Sequence, residues 1–121
     1  MYKHPVSHAI ARSIEAWEAK RDETDPYKIK LGRTGCPLCQ WSMVESGKDY
    51  VDCERCPIAQ MTRQNGCLSS PYNEAREARA KWMERNHDLT TYPALRANFR
   101  HRAQQEIDFL RGVLAWQETQ P

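Results

Sequence analysis

The chain has 121 residues, of which 28% are charged, and its formal net charge is only +2 at pH 7. A chain of this length forms one modest domain, 1–121, with a limited hydrophobic core. The small net charge excludes the strongly basic composition of dedicated nucleic-acid-binding proteins. No apolar run approaches the ~20 residues that cross a bilayer, and the first residues contain no export signal, so we expect a cytoplasmic protein with no membrane partner.

The first predicted element is an amphipathic helix over residues 6–20. Its large apolar residues recur three and four positions apart: Val6, Ile10, Ile14 and Trp17. That spacing places them on one face of a helix. Asp25-Pro26 marks a break after the helix, because the residue before a proline disfavours the helical conformation.

The next segment contains two Cys-x-x-Cys pairs, Cys36 with Cys39 and Cys53 with Cys56, and a fifth cysteine, Cys67, follows. Four thiolates that arrive as two close pairs satisfy the tetrahedral coordination of one Zn²⁺ ion. We therefore predict a structural zinc site with Cys36, Cys39, Cys53 and Cys56 as ligands, and with Cys67 as an alternative ligand. An iron–sulfur cluster is the alternative cofactor, since thiolates also bind it.

The segments around the cysteines predict the shape of this zinc-binding lobe, about residues 33–72. Residues 40–44 and 48–52 favour two short strands, and the Gly47 turn between them predicts a β-hairpin. The residues after Cys56 favour a helix that ends at Asn65-Gly66. A knuckle, a hairpin and a helix in this order predict a treble-clef-like zinc site.

The C-terminal part, 74–116, predicts further helices. Its longest periodic stretch places apolar residues at helical spacing: Leu95, Phe99, Ala103, Ile107, Leu110 and Leu114. The N-terminal and C-terminal helices each have an apolar face too wide to leave in water, so we expect them to pack together. The predicted fold class is mainly α with a small β-hairpin, in which antiparallel N- and C-terminal helices carry the treble-clef-like zinc lobe.

Basic residues are interleaved with aromatic residues on the helices predicted for 74–102. The five that favour a nucleic-acid surface are Arg76, Arg79, Lys81, Arg96 and Arg100. Helices with this pattern bind phosphates in some proteins. The same pattern also fits an ordinary solvated surface in which arginines pair with glutamates at helical spacing. Nucleic-acid binding is therefore the alternative prediction.

The cysteine string also carries a resemblance that covers most of the chain. The residues that carry it are Gly35-Cys36-Pro37-Leu38-Cys39, Cys53-Glu54-Arg55-Cys56-Pro57, Gly66-Cys67 and Ser70-Pro71-Tyr72. This pattern resembles a family of small, uncharacterised proteins of tailed bacteriophages and prophages. The resemblance implies an accessory phage protein in the cytoplasm of the bacterial host, and it implies a structural role for Cys67.

No Gly-rich phosphate loop, Ser-His-Asp set or pair of catalytic carboxylates stands out in the sequence. We therefore predict no catalytic residues and no small-molecule substrate. The leading prediction is a zinc-stabilised, non-catalytic interaction module that acts on an unidentified host or phage macromolecule, either a protein or a nucleic acid. A zinc-supported nuclease or a redox enzyme is the weaker alternative.

Overall fold

The computed structural model describes residues 2–31, 36–47, 56–63, 70–84 and 91–121, and these residues form helices joined by turns. The α-helices are α1 (Pro5–Asp22), α2 (Pro37–Ser46), α3 (Pro57–Thr62), α4 (Tyr72–Met83) and α5 (Tyr92–Glu118), with a 3-10 helix at Pro26–Lys28 between α1 and α2. None of the described helices is long and apolar enough to cross a membrane.

Helices α1 and α5 pack side by side in antiparallel directions. At one end, the backbone N–H of Lys3 donates to Glu118 Oε1 at 2.9 Å. At the other end, Arg21 Nη1 donates to Gln104 Oε1 at 2.7 Å. Most of the buried residues on the two helices are apolar: Val6, Ala9, Ile10, Ile14 and Trp17 on α1, and Phe99, Ala103, Ile107, Leu110 and Val113 on α5. The apolar stripes read from the sequence thus form one core.

Helix α4 completes the base by packing on α5, and its first residue, Tyr72, contacts Trp17 of α1. The rings of Trp82 and Phe99 lie 5.7 Å apart, and Trp17 meets Tyr72 edge-on at 6.1 Å. Aromatic pairs at such distances contribute beyond the area that they bury. The 3-10 helix is held against α4, because Arg79 Nε donates to the Pro26 carbonyl at 3.1 Å. We call α1, α4 and α5 the helical base.

The prediction of a β-hairpin over residues 40–52 is wrong. Residues predicted as its first strand, 40–44, belong to helix α2, and the described residues include no strand. The described residues therefore do not form the treble-clef-like order of knuckle, hairpin and helix, and their regular secondary structure is helical throughout. The predicted second strand, 48–52, lies outside those residues.

Tertiary docking explains why α2 is a helix. Pro37 suits the first turn of a helix, and the Gln40 N–H donates to the Cys36 carbonyl at 3.1 Å. Leu38 is only 1% exposed, and its N–H donates to the buried Ser13 Oγ of α1 at 3.1 Å. Gly47, read as a hairpin turn, instead follows the helix with a φ of 66°. A glycine in the left-handed conformation commonly ends a helix.

The short helix α3 follows Cys56 as predicted, but it ends earlier than the sequence indicated. Cys56 is its N-cap residue and Pro57 its first residue. Arg63 adopts a left-handed conformation, with φ of 58°, directly after Thr62. The predicted stop at Asn65-Gly66 lies outside the described residues. Helix α3 buries Ile58 and Ala59, and it packs on α5.

The ends of α1 and α5 are joined through the Glu118 carboxylate. It accepts hydrogen bonds from the Lys3 N–H at 2.9 Å and from Ser7 Oγ at 2.8 Å. The Lys3 N–H is the main reason that the pKa of Glu118 lies below its usual value. The pKa of Glu118 is lower in the folded chain than in the unfolded chain. Ionised Glu118 therefore stabilises the fold at pH values above the usual glutamate pKa. This stabilisation is lost as the pH falls through the folded value.

We expect Glu118→Gln to lower the urea midpoint of unfolding at neutral pH, because the amide is a weaker acceptor for both donors. The difference from the wild-type chain should narrow on acidification, once Glu118 itself is protonated. Urea titrations followed by circular dichroism at neutral and acidic pH measure both effects. Glu15→Gln, at an exposed position of α1, is the matched control. Equal midpoints for Glu118→Gln and the wild-type chain at neutral pH would contradict the prediction.

Candidate metal centre

Cys36 and Cys39 lie together at the start of α2, where the helix meets α1. Cys36 directly precedes Pro37, the first residue of α2, and the Cys39 N–H donates to Cys36 Sγ at 3.4 Å. The bond from Leu38 N–H to Ser13 Oγ attaches this turn to the helical base. The Cys-x-x-Cys spacing thus places two sulfurs in the first turn of α2, and the bond to Ser13 fixes that turn on α1.

The surroundings of Cys36 favour its thiolate form. Its pKa is lowered to about 6, chiefly by the hydrogen bond from the Cys39 thiol. The backbone N–H groups of Cys39 and Leu38 and the charge of Lys20 lower the pKa further, while burial opposes them. The thiolate is the form of cysteine that binds metals. Cys36 is therefore prepared as a ligand at neutral pH.

Cys56 repeats the Cys-Pro arrangement at the start of α3. It is 7% exposed, and its carbonyl accepts a hydrogen bond from the Gln60 N–H at 3.1 Å, as the Cys36 carbonyl does from Gln40. Cys56 belongs to the buried core, and Cys36 packs against the same core. Cys36, Cys39 and Cys56 are not joined to one another by disulfides. Donors of this type suit Zn²⁺ or an iron–sulfur cluster.

The structure brings two of the predicted ligands into contact and leaves the full ligand set a prediction. Cys53 and Cys67 lie outside the described residues. Within the described ranges, no group of three or more His, Cys, Asp or Glu side chains lies close enough to hold a metal ion. A four-coordinate site with Cys36 and Cys39 therefore needs two further ligands, drawn from Cys53, Cys67 and a Cys56 that lies closer.

Two charged residues near the cysteine pair were not recognised in the sequence. Glu106 is only 2% exposed, and burial raises its pKa to about 7; Cys36 adds to this rise, while Ser70 and Lys20 oppose it. Burial also lowers the pKa of Lys20, against the opposing effects of Cys36, Glu106 and Cys39. The ammonium of Lys20 lies 4.7 Å from the centroid of the Trp17 ring.

A signal for Glu106 is nevertheless present in the sequence. It interrupts the apolar stripe of α5, where positions 103, 106, 107 and 110 share one buried face. A carboxylate at such a position is costly unless it has partners, because charged groups are almost never fully buried without them. Lys20 gives no comparable signal, since lysines are common at the last turn of a helix.

The residues predicted to bind nucleic acid divide into two groups. Arg76, Lys81 and Arg100 are exposed. Arg79 is half-buried and donates to the Pro26 carbonyl, and the partly buried Arg96 has an Nε atom with no partner among the described residues. At least Arg79 therefore has a role in packing, and the exposed surface contains fewer of these bases than the sequence suggested.

The chain was compared with protein-family models, with curated proteins and with solved structures. None of the three comparisons gives a match. The resemblance to phage proteins in the cysteine string thus stays a prediction, and the case for a function depends on the geometry of the residues described above.

Proposed function

We propose that this chain is a zinc-stabilised, non-catalytic interaction module, an accessory phage protein that acts on a host or phage macromolecule in the bacterial cytoplasm. The main support is the pair of cysteines at the start of α2. Cys36 and Cys39 share one turn, a hydrogen bond joins Cys39 N–H to Cys36 Sγ, and the thiolate of Cys36 is favoured at neutral pH. With two thiolates from the rest of the cysteine string, this pair completes a closed, structural zinc site.

A structural zinc site also suits the size of the chain. Small domains have limited cores and gain folding free energy from a bound metal. Here the helical base contains the large core residues, whereas α2 and α3 are short and follow segments rich in polar residues. A metal that joins the starts of these two helices would stabilise the lobe and so define a surface for a partner.

Metal analysis of the chain purified without added metal tests this proposal. We expect about one zinc per chain. A brown, iron-containing protein would show that the cysteines bind an iron–sulfur cluster and not zinc. A folded protein without metal would overturn the proposal. The variants Cys53→Ser and Cys67→Ser decide the ligand set: loss of zinc in the first variant alone supports Cys53, and loss in the second alone supports Cys67.

Nucleic-acid binding remains the second candidate, and the exposure of Arg76, Lys81 and Arg100 favours it. Contacts between such bases and phosphates release counterions, so the affinity should fall steeply as salt rises. Titration of fluorescent single- and double-stranded DNA and RNA at several salt concentrations measures this dependence. An absence of binding even at low salt would exclude this candidate.

A weaker alternative from the sequence is a redox enzyme that uses Cys36 as an attacking thiolate. A Cys36 sulfur held by zinc does not attack a disulfide readily, because the metal withdraws its charge. Retention of zinc under mild oxidation would support the structural role. Rapid reduction of a small disulfide by the metal-containing protein would favour the redox enzyme.

A further inference from the structure

Cys36 and Cys39 lie in contact and are both partly exposed. The Cys39 N–H donates to Cys36 Sγ at 3.4 Å, and the Gln40 N–H closes the turn by donating to the Cys36 carbonyl at 3.1 Å. Residues three apart in such a turn have Cα atoms about 5 Å apart. A disulfide joins residues whose Cα atoms are roughly 4.4–6.8 Å apart. The two sulfurs can therefore bond to each other with little movement of the backbone.

The turn that contains this pair is fixed on the helical base. Leu38 lies between the two cysteines, is only 1% exposed and donates its N–H to the buried Ser13 Oγ of α1 at 3.1 Å. These contacts involve no other cysteine, so α1 and α2 together position the pair.

Cys56 belongs to a second pair with the same spacing but has different surroundings. It is 7% exposed and lies in the buried core, whereas Cys36 and Cys39 are accessible to a small molecule. Thiol–disulfide exchange requires that the thiolate reach the disulfide that it attacks, and buried cysteines are inert. The structure thus distinguishes two Cys-x-x-Cys pairs that the sequence makes equivalent.

We propose that Cys36 and Cys39 are a redox-active dithiol that closes into a disulfide by exchange with a small disulfide such as glutathione disulfide, and that closure excludes zinc from the pair. First, one thiolate of the pair attacks a sulfur of the small disulfide, forms a mixed disulfide and releases one thiolate. The other thiolate of the pair then attacks the protein sulfur of the mixed disulfide and releases the second. The pair loses two electrons and two protons, and the small disulfide is reduced to two thiols.

The exclusion of zinc rests on the proposed zinc site, whereas the closure does not. Zinc binds cysteine as the thiolate, so a disulfide removes two of the four predicted ligands. Bound zinc in turn withdraws charge from both sulfurs and slows their attack on a disulfide. Zinc and the small disulfide should therefore compete for the same pair.

Oxidation of the metal-free, full-length chain by glutathione disulfide tests the closure. Samples are alkylated at timed intervals and analysed by mass spectrometry of tryptic peptides. Trypsin cleaves after Lys and Arg, so Cys36 and Cys39 share the peptide 34–48, and each of the other three cysteines lies in a peptide of its own. A Cys36–Cys39 disulfide therefore lies within one peptide, whereas every other pairing joins two peptides.

The pair Cys53 and Cys56 is the matched control, because it has the same spacing. In native buffer the Cys36–Cys39 disulfide should form on the order of tenfold faster than the Cys53–Cys56 disulfide. In urea the two rates should become similar, since unfolding exposes Cys56. Equal rates in native buffer would overturn the proposal. Glutathione that stays bound to Cys36 or Cys39 without closure would overturn it as well.

The competition with zinc is measured on the same chain. Zinc added before the oxidant should slow closure on the order of tenfold, and the oxidised chain should bind zinc only after a thiol reductant is added. Unchanged zinc binding by the oxidised chain would contradict both the exclusion and the assignment of this pair as ligands. A chain that binds no zinc but still closes the disulfide would support the closure and overturn the proposed function.

Discussion

Cys36→Ser is expected to remove zinc from the chain and to unfold α2 and its surroundings, while the helical base stays folded. Cys36 is the predicted ligand whose thiolate is favoured at neutral pH, and a serine hydroxyl is a poor substitute for a thiolate. The base should survive because α1 and α4 pack on α5 through residues outside the cysteine segment. Metal analysis, far-UV circular dichroism and limited proteolysis measure the three parts of this expectation.

The matched control for Cys36→Ser is Val44→Ser, at a residue of α2 that is 78% exposed. It introduces the same residue into the same helix but touches neither the sulfurs nor the core, so zinc content and proteolysis should be unchanged. Structural zinc contributes many kcal/mol to the folding of small metal-binding units. Full zinc content in Cys36→Ser would contradict the ligand assignment, and complete loss of helicity would contradict the independence of the base.

Phe99→Ala is expected to reduce the free energy of unfolding by about 3–5 kcal/mol, the usual cost of truncating a buried aromatic residue. Phe99 is 0% exposed and its ring packs against Trp82, so the substitution leaves a cavity between α4 and α5. Urea unfolding followed by tryptophan fluorescence measures the loss. The neighbouring Asn98 is exposed, and Asn98→Ala should change the stability by less than about 0.5 kcal/mol.

A loss below about 1 kcal/mol in Phe99→Ala would contradict the packing of α4 on α5. Zinc content provides a second measurement, because Phe99 lies on the helical base, away from the predicted cysteine ligands in the sequence. Under conditions in which Phe99→Ala is folded, we expect zinc binding close to that of the wild-type chain. The two variants should therefore separate metal binding from core stability.

The long helices could be predicted from the sequence because their apolar residues repeat at helical spacing. Ile10, Ile14 and Trp17 on α1, and Phe99 and Ile107 on α5, are all buried. Periodicity of this kind is a local property that predicts a helix whichever partner covers it, since a helix of several turns must bury its apolar face. The bounds were less accurate, as the early end of α3 at Thr62 illustrates.

The hairpin was mispredicted because the local signals in α2 fit two structures. Trp41 and Val44 favour strands, and Gly47 suits both a hairpin turn and the end of a helix. The docking of Leu38 on Ser13 decided between them. This contact joins residues that are far apart in the chain, so no local pattern could reveal it.

By itself, the sequence determined the helical stripes and the spacing of the cysteine pairs, because both are properties of neighbouring residues. Only the tertiary structure decided that α2 is a helix and that Glu106 is buried, where it interacts electrostatically with Lys20 and Cys36. Burial, and with it the charge of a carboxylate or a lysine, depends on which helices pack together. The cysteines could therefore be predicted as metal ligands from their spacing alone, whereas the charges around them could not be predicted.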